Sequence, residues 1–318
     1  MIFKQLSKQL FLYTFLCYSS VSWAEVSKQF SIGLSQTNNL ELQENIDDVD
    51  ENNSSLKRQA IISNLFLSKQ SLDYTGGYSL SAQFSYNKGL DNTGDIQQIT
   101  LSASQLKAFS GYWLMRSSIL LQYYESEPLA ESSYTAIQLE NTLGYLQDNN
   151  AGLDINVRLR QEKHNKHISD RYKIQRTELT LHYYFQHYNK MPYWTIYAGF
   201  IDNHADDKKR ESKGLNAGLE YRQWSLGSFN GTVGIQWQAN QYPSFKRKNE
   251  PEEVTETLNP LQQNRPDAQY NMAHIHLIKP LKKSMDLELS ANIGRYQTSR
   301  LSSNENFYQI SSHINWSF

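Results

Sequence analysis

The chain has little of what most folds lean on. One cysteine in 318 residues excludes a disulfide-stapled scaffold, and seven prolines with fifteen glycines exclude the collagen-like and proline-rich classes. Past the first two dozen residues no apolar run approaches the roughly 20 needed to span a bilayer as a helix. With a mean hydropathy of −0.66, a bundle of transmembrane helices is excluded. Neither sign of charge dominates: the formal net charge is −1, and no broad nucleic-acid-binding surface is expected. What remains is an aromatic-rich polar chain, 13% Phe, Trp and Tyr against 39% hydrophobic residues overall, that must still bury something.

The N-terminus reads as an export signal. Lys4 and Lys8 precede an apolar stretch, residues 10–18, and Ser22 and Ala24 occupy the small-residue positions of a cleavage site before Glu25. The stretch is too short for an anchor. Cys17 follows Phe15 and Leu16 rather than the small residues of a lipoprotein signal. The expected organisation is a signal peptide over 1–24 and one domain over 25–318.

From Gln29 onward the dominant period is two. Tyr78, Leu80, Ala82, Phe84 and Tyr86 alternate with Ser79, Ser81, Gln83 and Ser85. Leu153, Ile155, Val157 and Leu159 alternate with Asp154, Asn156, Arg158 and Arg160, and Val233, Ile235 and Trp237 with Gly234, Gln236 and Gln238. Each is a strand with one apolar and one polar face. The expected strand cores are 28–38, 58–70, 77–88, 96–106, 112–124, 134–146, 152–163, 172–187, 193–203, 213–224, 230–242, 268–279, 286–297 and 306–318. Soluble strands average about five or six residues, whereas tilted membrane-crossing strands need about 9–11.

The connections alternate too. Short ones are expected at 71–76, 107–111, 147–151, 188–192, 225–229 and 280–285, and longer polar ones at 39–57, 89–95, 125–133, 164–171, 203–212, 243–267 and 298–305. An even strand number with short turns at one rim and long loops at the other describes an all-β, transmembrane, antiparallel up-and-down β-barrel of about fourteen strands, with twelve or sixteen as the neighbouring solutions.

In the last strand Tyr308, Ile310, Ile314, Trp316 and Phe318 share a face, interrupted by Ser312, and the terminal residue is aromatic. This tail resembles the C-terminal targeting signal of Gram-negative outer-membrane barrel proteins. The resemblance implies an outer-membrane location and the barrel-assembly machinery as a partner during biogenesis. Arg265, Asp267, Pro280, Leu281, Ser303, Asn304, Phe307 and Tyr308 are also similar to the last hairpins of some fourteen-stranded barrels, such as the barrel part of surface lipoprotein assembly modifiers. Those proteins carry an N-terminal helical-repeat domain that finds no counterpart here. Monomeric porins match in strand number.

With the apolar parity towards lipid, Tyr86, Trp113, Tyr123, Tyr145, Trp194, Tyr221, Trp237 and Trp316 suit aromatic girdles. The other parity turns Arg116, Glu140, Asp154, Arg158, Arg160, Glu162, Arg176, Glu178, His182, Glu220, Arg222 and Glu288 inward. Arg158, Arg160, Glu162, Arg176 and Glu178, with Arg116, Glu220 and Arg222, are the candidate lining or selectivity residues. Rings of charge tune which solutes pass a pore. The bland alternative is a ladder of opposite charges that sets register.

His274 and His276 share a strand face without a third ligand, and His164 with His167 lie around a loop, so no metal is expected. The acidic residues between Glu41 and Glu51 lack the pattern of a calcium loop. The basic clusters 208–210 and 246–248 could meet lipopolysaccharide phosphates. No Gly-x-Ser-x-Gly, His-Glu-x-x-His or phosphate loop is present, while His313 near Ser311 and His204 near Asp206 and Asp207 are loose echoes of catalytic sets. The expectation is a non-enzyme without a cofactor: a passive channel for small hydrophilic solutes through a polar, mixed-charge lumen, embedded among outer-membrane lipid and lipopolysaccharide. The alternative is a non-conducting barrel serving assembly or export, or binding through its outer loops.

Overall fold

The computed structural model describes residues 26–38, 58–73, 76–90, 94–109, 112–127, 133–147, 151–164, 173–185, 192–206, 211–241, 268–298 and 305–318. The expected signal peptide, the acidic 41–51 stretch, His167, Asp207 and both basic clusters lie outside these.

Fourteen strands lie among the described residues: β1 (Val26–Thr37), β2 (Arg58–Asp73), β3 (Gly76–Gly89), β4 (Asp95–Ala108), β5 (Trp113–Ser126), β6 (Tyr134–Gln147), β7 (Ala151–His164), β8 (Lys173–Phe185), β9 (Tyr193–Ala205), β10 (Ser212–Leu226), β11 (Phe229–Gln241), β12 (Ala268–Lys282), β13 (Met285–Thr298) and β14 (Glu305–Ser317). Each pairs antiparallel with its sequence neighbours, and β1 pairs with β14, so the sheet closes. The expected strands all form. β2 and β12 run further than the alternation suggested, because strand pairing continues into tight connections such as the turn 283–284 between Lys282 and Met285.

Closure removes every unpaired sheet edge, the condition for a sheet to sit in hydrocarbon. At the seam, pairing runs from Gln29 opposite Ser317 to Thr37 opposite Gln309. The Phe318 N–H donates to the Lys28 carbonyl at 2.9 Å, and the Tyr308 N–H donates to Asn38 Oδ1 at 2.6 Å, fastening the two ends.

The apolar side chains face out. Leu34 is 57% exposed, Ile235 59% and Ile293 64%, values impossible for a water-soluble core but required of a lipid-facing band. Aromatic pairs flank the band near the short-turn rim: Trp113 with Tyr145 (4.7 Å between ring centres), Trp194 with Tyr221 (4.6 Å) and Phe30 stacked on Trp316 (5.8 Å). Near the other rim the Tyr86 hydroxyl donates to Asp95 and the Tyr123 hydroxyl to Glu125. This is a transmembrane β-barrel.

Two strands depart from simple pairing: β12 shifts register against β13 between Pro280 and Lys282, beside their turn, and β10 shifts further from its turn. The register of β10 against β11 shifts between Arg222 and Trp224, and Gln223 has φ 57°. This bulge carries one extra residue. Even parity would turn Trp224 inward with Glu220 and Arg222. Instead it lies opposite Gly231 on the outer face, where a Cβ on Gly231 would fall 2.7 Å from the Trp224 ring and 2.9 Å from Leu277.

Candidate functional site

Strands about 4.8 Å apart and tilted about 40° close, at fourteen, into a cylinder roughly 28 Å across between backbones. Side chains from opposite walls cannot meet over that distance, so the inner face is the surface any solute would encounter.

All eight candidate residues fall on the inner parity, and the register assembles six of them, with Glu140, into adjoining rows across β5–β8. Glu140 of β6 stands directly opposite Arg158 of β7, which stands opposite Glu178 of β8. Arg158 joins them: its Nε lies 3.3 Å from Glu140 Oε2 and its Nη1 donates to Glu178 Oε2 at 2.6 Å. Arg116 extends the row at 3.9 Å from Glu140, and Arg176 at 3.9 Å from Glu178. Neutral groups anchor the ends. Asn156 Nδ2 donates to Glu140 and to Thr142, both at 2.8 Å, and Arg176 Nε donates to Asn203 Oδ1 at 2.8 Å.

Arg160 and Glu162 belong to a second, tighter knot. Arg160 donates from Nε to Glu162 (2.5 Å), from Nη1 to Gln138 (3.2 Å) and from Nη2 to Gln122 (2.8 Å), while its guanidinium lies over the Tyr134 ring. The other Glu162 oxygen meets His164 Nε2 at 3.0 Å, and His164 is fully buried. Each of the three Arg160 nitrogens donates one bond, so the side chain braces three strands rather than meeting solute.

Glu220 and Arg222 are remote from this patch, on β10. They pair with each other, and Glu220 also meets His274 Nε2 at 3.5 Å. His276 turns to Glu288 of β13 at 2.8 Å, whose second oxygen accepts from Asn315 at 2.8 Å. The two histidines that share a strand face thus serve different carboxylates. Among the described residues no three His, Cys, Asp or Glu side chains gather as a metal site. His204 meets Glu211 at 3.0 Å near the long-loop rim, and Ser311 bonds Ser290 at 2.7 Å rather than His313.

Three features escape the sequence pattern. Tyr184 donates to Asp154 at 2.8 Å, masking an inward carboxylate. Towards the long-loop rim the inner side chains become buried: Phe307 stacks on Tyr270 (5.0 Å), Tyr124 on Tyr134 (5.1 Å), and Arg58 donates to the carbonyls of Asn87 and Gly94 at 2.9 Å each. Beside them lies a cavity of about 350 Å³ lined by Ser35, Thr37, Ser85, Asn87, Gln98 and Gln309 among others. Aromatic residues on the inner parity near one rim were the available signal.

No protein-family model matches the chain, and neither does any curated protein. Among solved structures it is similar to CdiB from Acinetobacter baumannii, at 12% identity and a TM-score of 0.47, over 92% of this chain and 60% of that one. It is also similar to OprD from Pseudomonas aeruginosa (9% identity, TM-score 0.44, 92% of this chain and 94% of that) and to OprB from Pseudomonas putida (7%, 0.46, 92% and 94%). Such similarities assign no activity to this chain.

Proposed function

We propose that the chain is a passive channel for small hydrophilic solutes in the outer membrane. The observation that carries this reading is the split of a wide cylinder into an apolar exterior and a polar interior. A lumen of fourteen strands lined by Ser, Thr, Asn, Gln and paired charges favours water over packed side chains. Solutes diffuse through it, screened by width and by the charges on the wall. The expected export signal and the aromatic terminal strand support assembly in the outer membrane by the barrel-assembly machinery, among lipid and lipopolysaccharide.

The experiment is ion conductance of the refolded protein in a planar bilayer, with and without residues 243–267. Steady open steps from the intact protein are expected. Silence from both forms, in protein shown to be folded, sinks the channel reading. A second reading, a closed barrel serving assembly or surface binding, is favoured by the buried inner side chains near the long-loop rim, Phe307 and Tyr270 among them. Silence from the intact protein with conduction after deletion would select a gated pore.

A further inference from the structure

The charges on β5–β10 are balanced in number yet unequal in reach. In each pair of the open rows the carboxylate is recessed and the guanidinium projects. Arg116 and Arg158 have side chains 57% and 37% exposed, against 16% for the Glu140 between them. Arg176 is 31% exposed and its partner Glu178 11%. The same order holds on β10, with Arg222 at 37% and Glu220 at 14%. The cause is geometric. A glutamate is short and is held near the sheet by neighbours such as Asn156, whereas the arginine stem carries its planar group past that layer while still reaching back with one N–H.

A group on the lumen axis is therefore nearer to positive charge than to negative along this arc. The strands directly across the barrel, β12–β14 and β1, do not cancel the effect. Their inner face mixes Ser, Asn, Gln and His with uncharged residues such as Met272, Ile278 and Phe307, and both oxygens of Glu288 are already engaged by His276 and Asn315. The other acidic residues on these strands stand at the rims, Asp286 next to the β12–β13 turn and Glu305 at the opposite end, where β14 begins.

Resting on the channel reading, we infer that the Arg116–Arg158–Arg176 arc makes the lumen prefer small anions, carboxylate- or phosphate-bearing solutes above all, whose oxygens match the guanidinium fork. The projecting guanidinium groups serve as a track and the recessed glutamates as its fixings. Arg160, 13% exposed and held through all three of its nitrogens, takes no part.

The test is the reversal potential of single channels in a potassium chloride gradient, chloride being the probe anion. Chloride should be preferred over potassium by roughly two- to threefold, the size expected of one unit charge acting across several ångströms of water. Arg116→Gln should lower that ratio towards one. The decisive variant is the double substitution Arg158→Gln with Glu178→Gln, which leaves the lumen's net charge unchanged. Loss of anion preference in it means that reach sets selectivity, as inferred. An unchanged ratio overturns the inference, as does a wild-type preference for potassium. Both results leave the channel standing, since current still flows. A silent, folded protein instead removes the channel reading and this inference with it. Heat-dependent gel mobility, which separates closed from unfolded barrels, verifies that each variant has folded.

Discussion

Arg158 is the side chain on which the most lumenal charge depends. It separates two carboxylates that would otherwise face each other across β7, each less than one-fifth exposed. Removing its charge leaves each with only a longer contact, Arg116 at 3.9 Å for Glu140 and Arg176 at 3.9 Å for Glu178, and a poorly hydrated group that loses its main partner costs more than the bond itself contributed. Arg158→Gln should therefore destabilise the folded barrel by about 1–3 kcal/mol. Arg116→Gln removes a longer contact from a mostly solvated side chain and should cost under about 1 kcal/mol. Urea midpoints of unfolding in lipid vesicles, followed by tryptophan emission, separate the two. Equal midpoints would mean that the row contributes register but little energy.

At the scale of the element, the bulge in β10 decides where one tryptophan goes. Gln223 takes a left-handed conformation that a non-glycine residue adopts at some cost, roughly 1–2 kcal/mol. In return Trp224 leaves the lumen parity and lies over Gly231 on the lipid side, close to the interface where an indole meets both apolar and polar surroundings. Its indole N–H finds no partner among the described residues. Deleting Gln223 removes the extra residue, so β10 should regain simple alternation with Trp224 following Arg222 directly, still opposite Gly231 and facing lipid. Quenching by brominated lipid, taken as the difference from the matching Trp224→Phe protein, should then stay near its original value. A sharp fall would show that the outward placement depends on the bulge itself.

For the whole molecule, the governing feature is that the hydrophobic surface lies outside and the polar surface inside. Adjacent residues on one strand should thus answer the same substitution differently. Ile235, 59% exposed near the middle of β11, faces lipid, and Gln236 faces the lumen. Ile235→Arg should cost about 2–4 kcal/mol, the penalty of a cation at the bilayer midplane, whereas a lumenal Arg remains in water and Gln236→Arg should cost far less. Reversible urea unfolding in vesicles measures both. A larger cost for Gln236→Arg would contradict an aqueous lumen.

Much of this molecule is determined locally. The pleat turns successive side chains to opposite faces, so the alternation around Ile155, Val157 and Leu159 specifies both a strand and its two surroundings without any tertiary knowledge. Strand lengths and alternating connection lengths then suffice for a closed barrel, and even the inward parity of Arg158 and Glu178 is legible. Which charges meet is not. Arg158 finds Glu140 and Glu178 because of register, and a slip of two residues on either side would preserve every inward face while exchanging the partners. Nor does the sequence reveal the depth of each charge, since the recession of Glu140 below Arg116 depends on Asn156, a neighbour from the next strand. The turn of Trp224 away from its parity was equally hidden, because Gln223 carries no glycine or proline signal for a bulge. Facing follows from a period within one strand, whereas pairing and reach depend on the alignment of strands far apart in the chain, which only closure of the sheet decides.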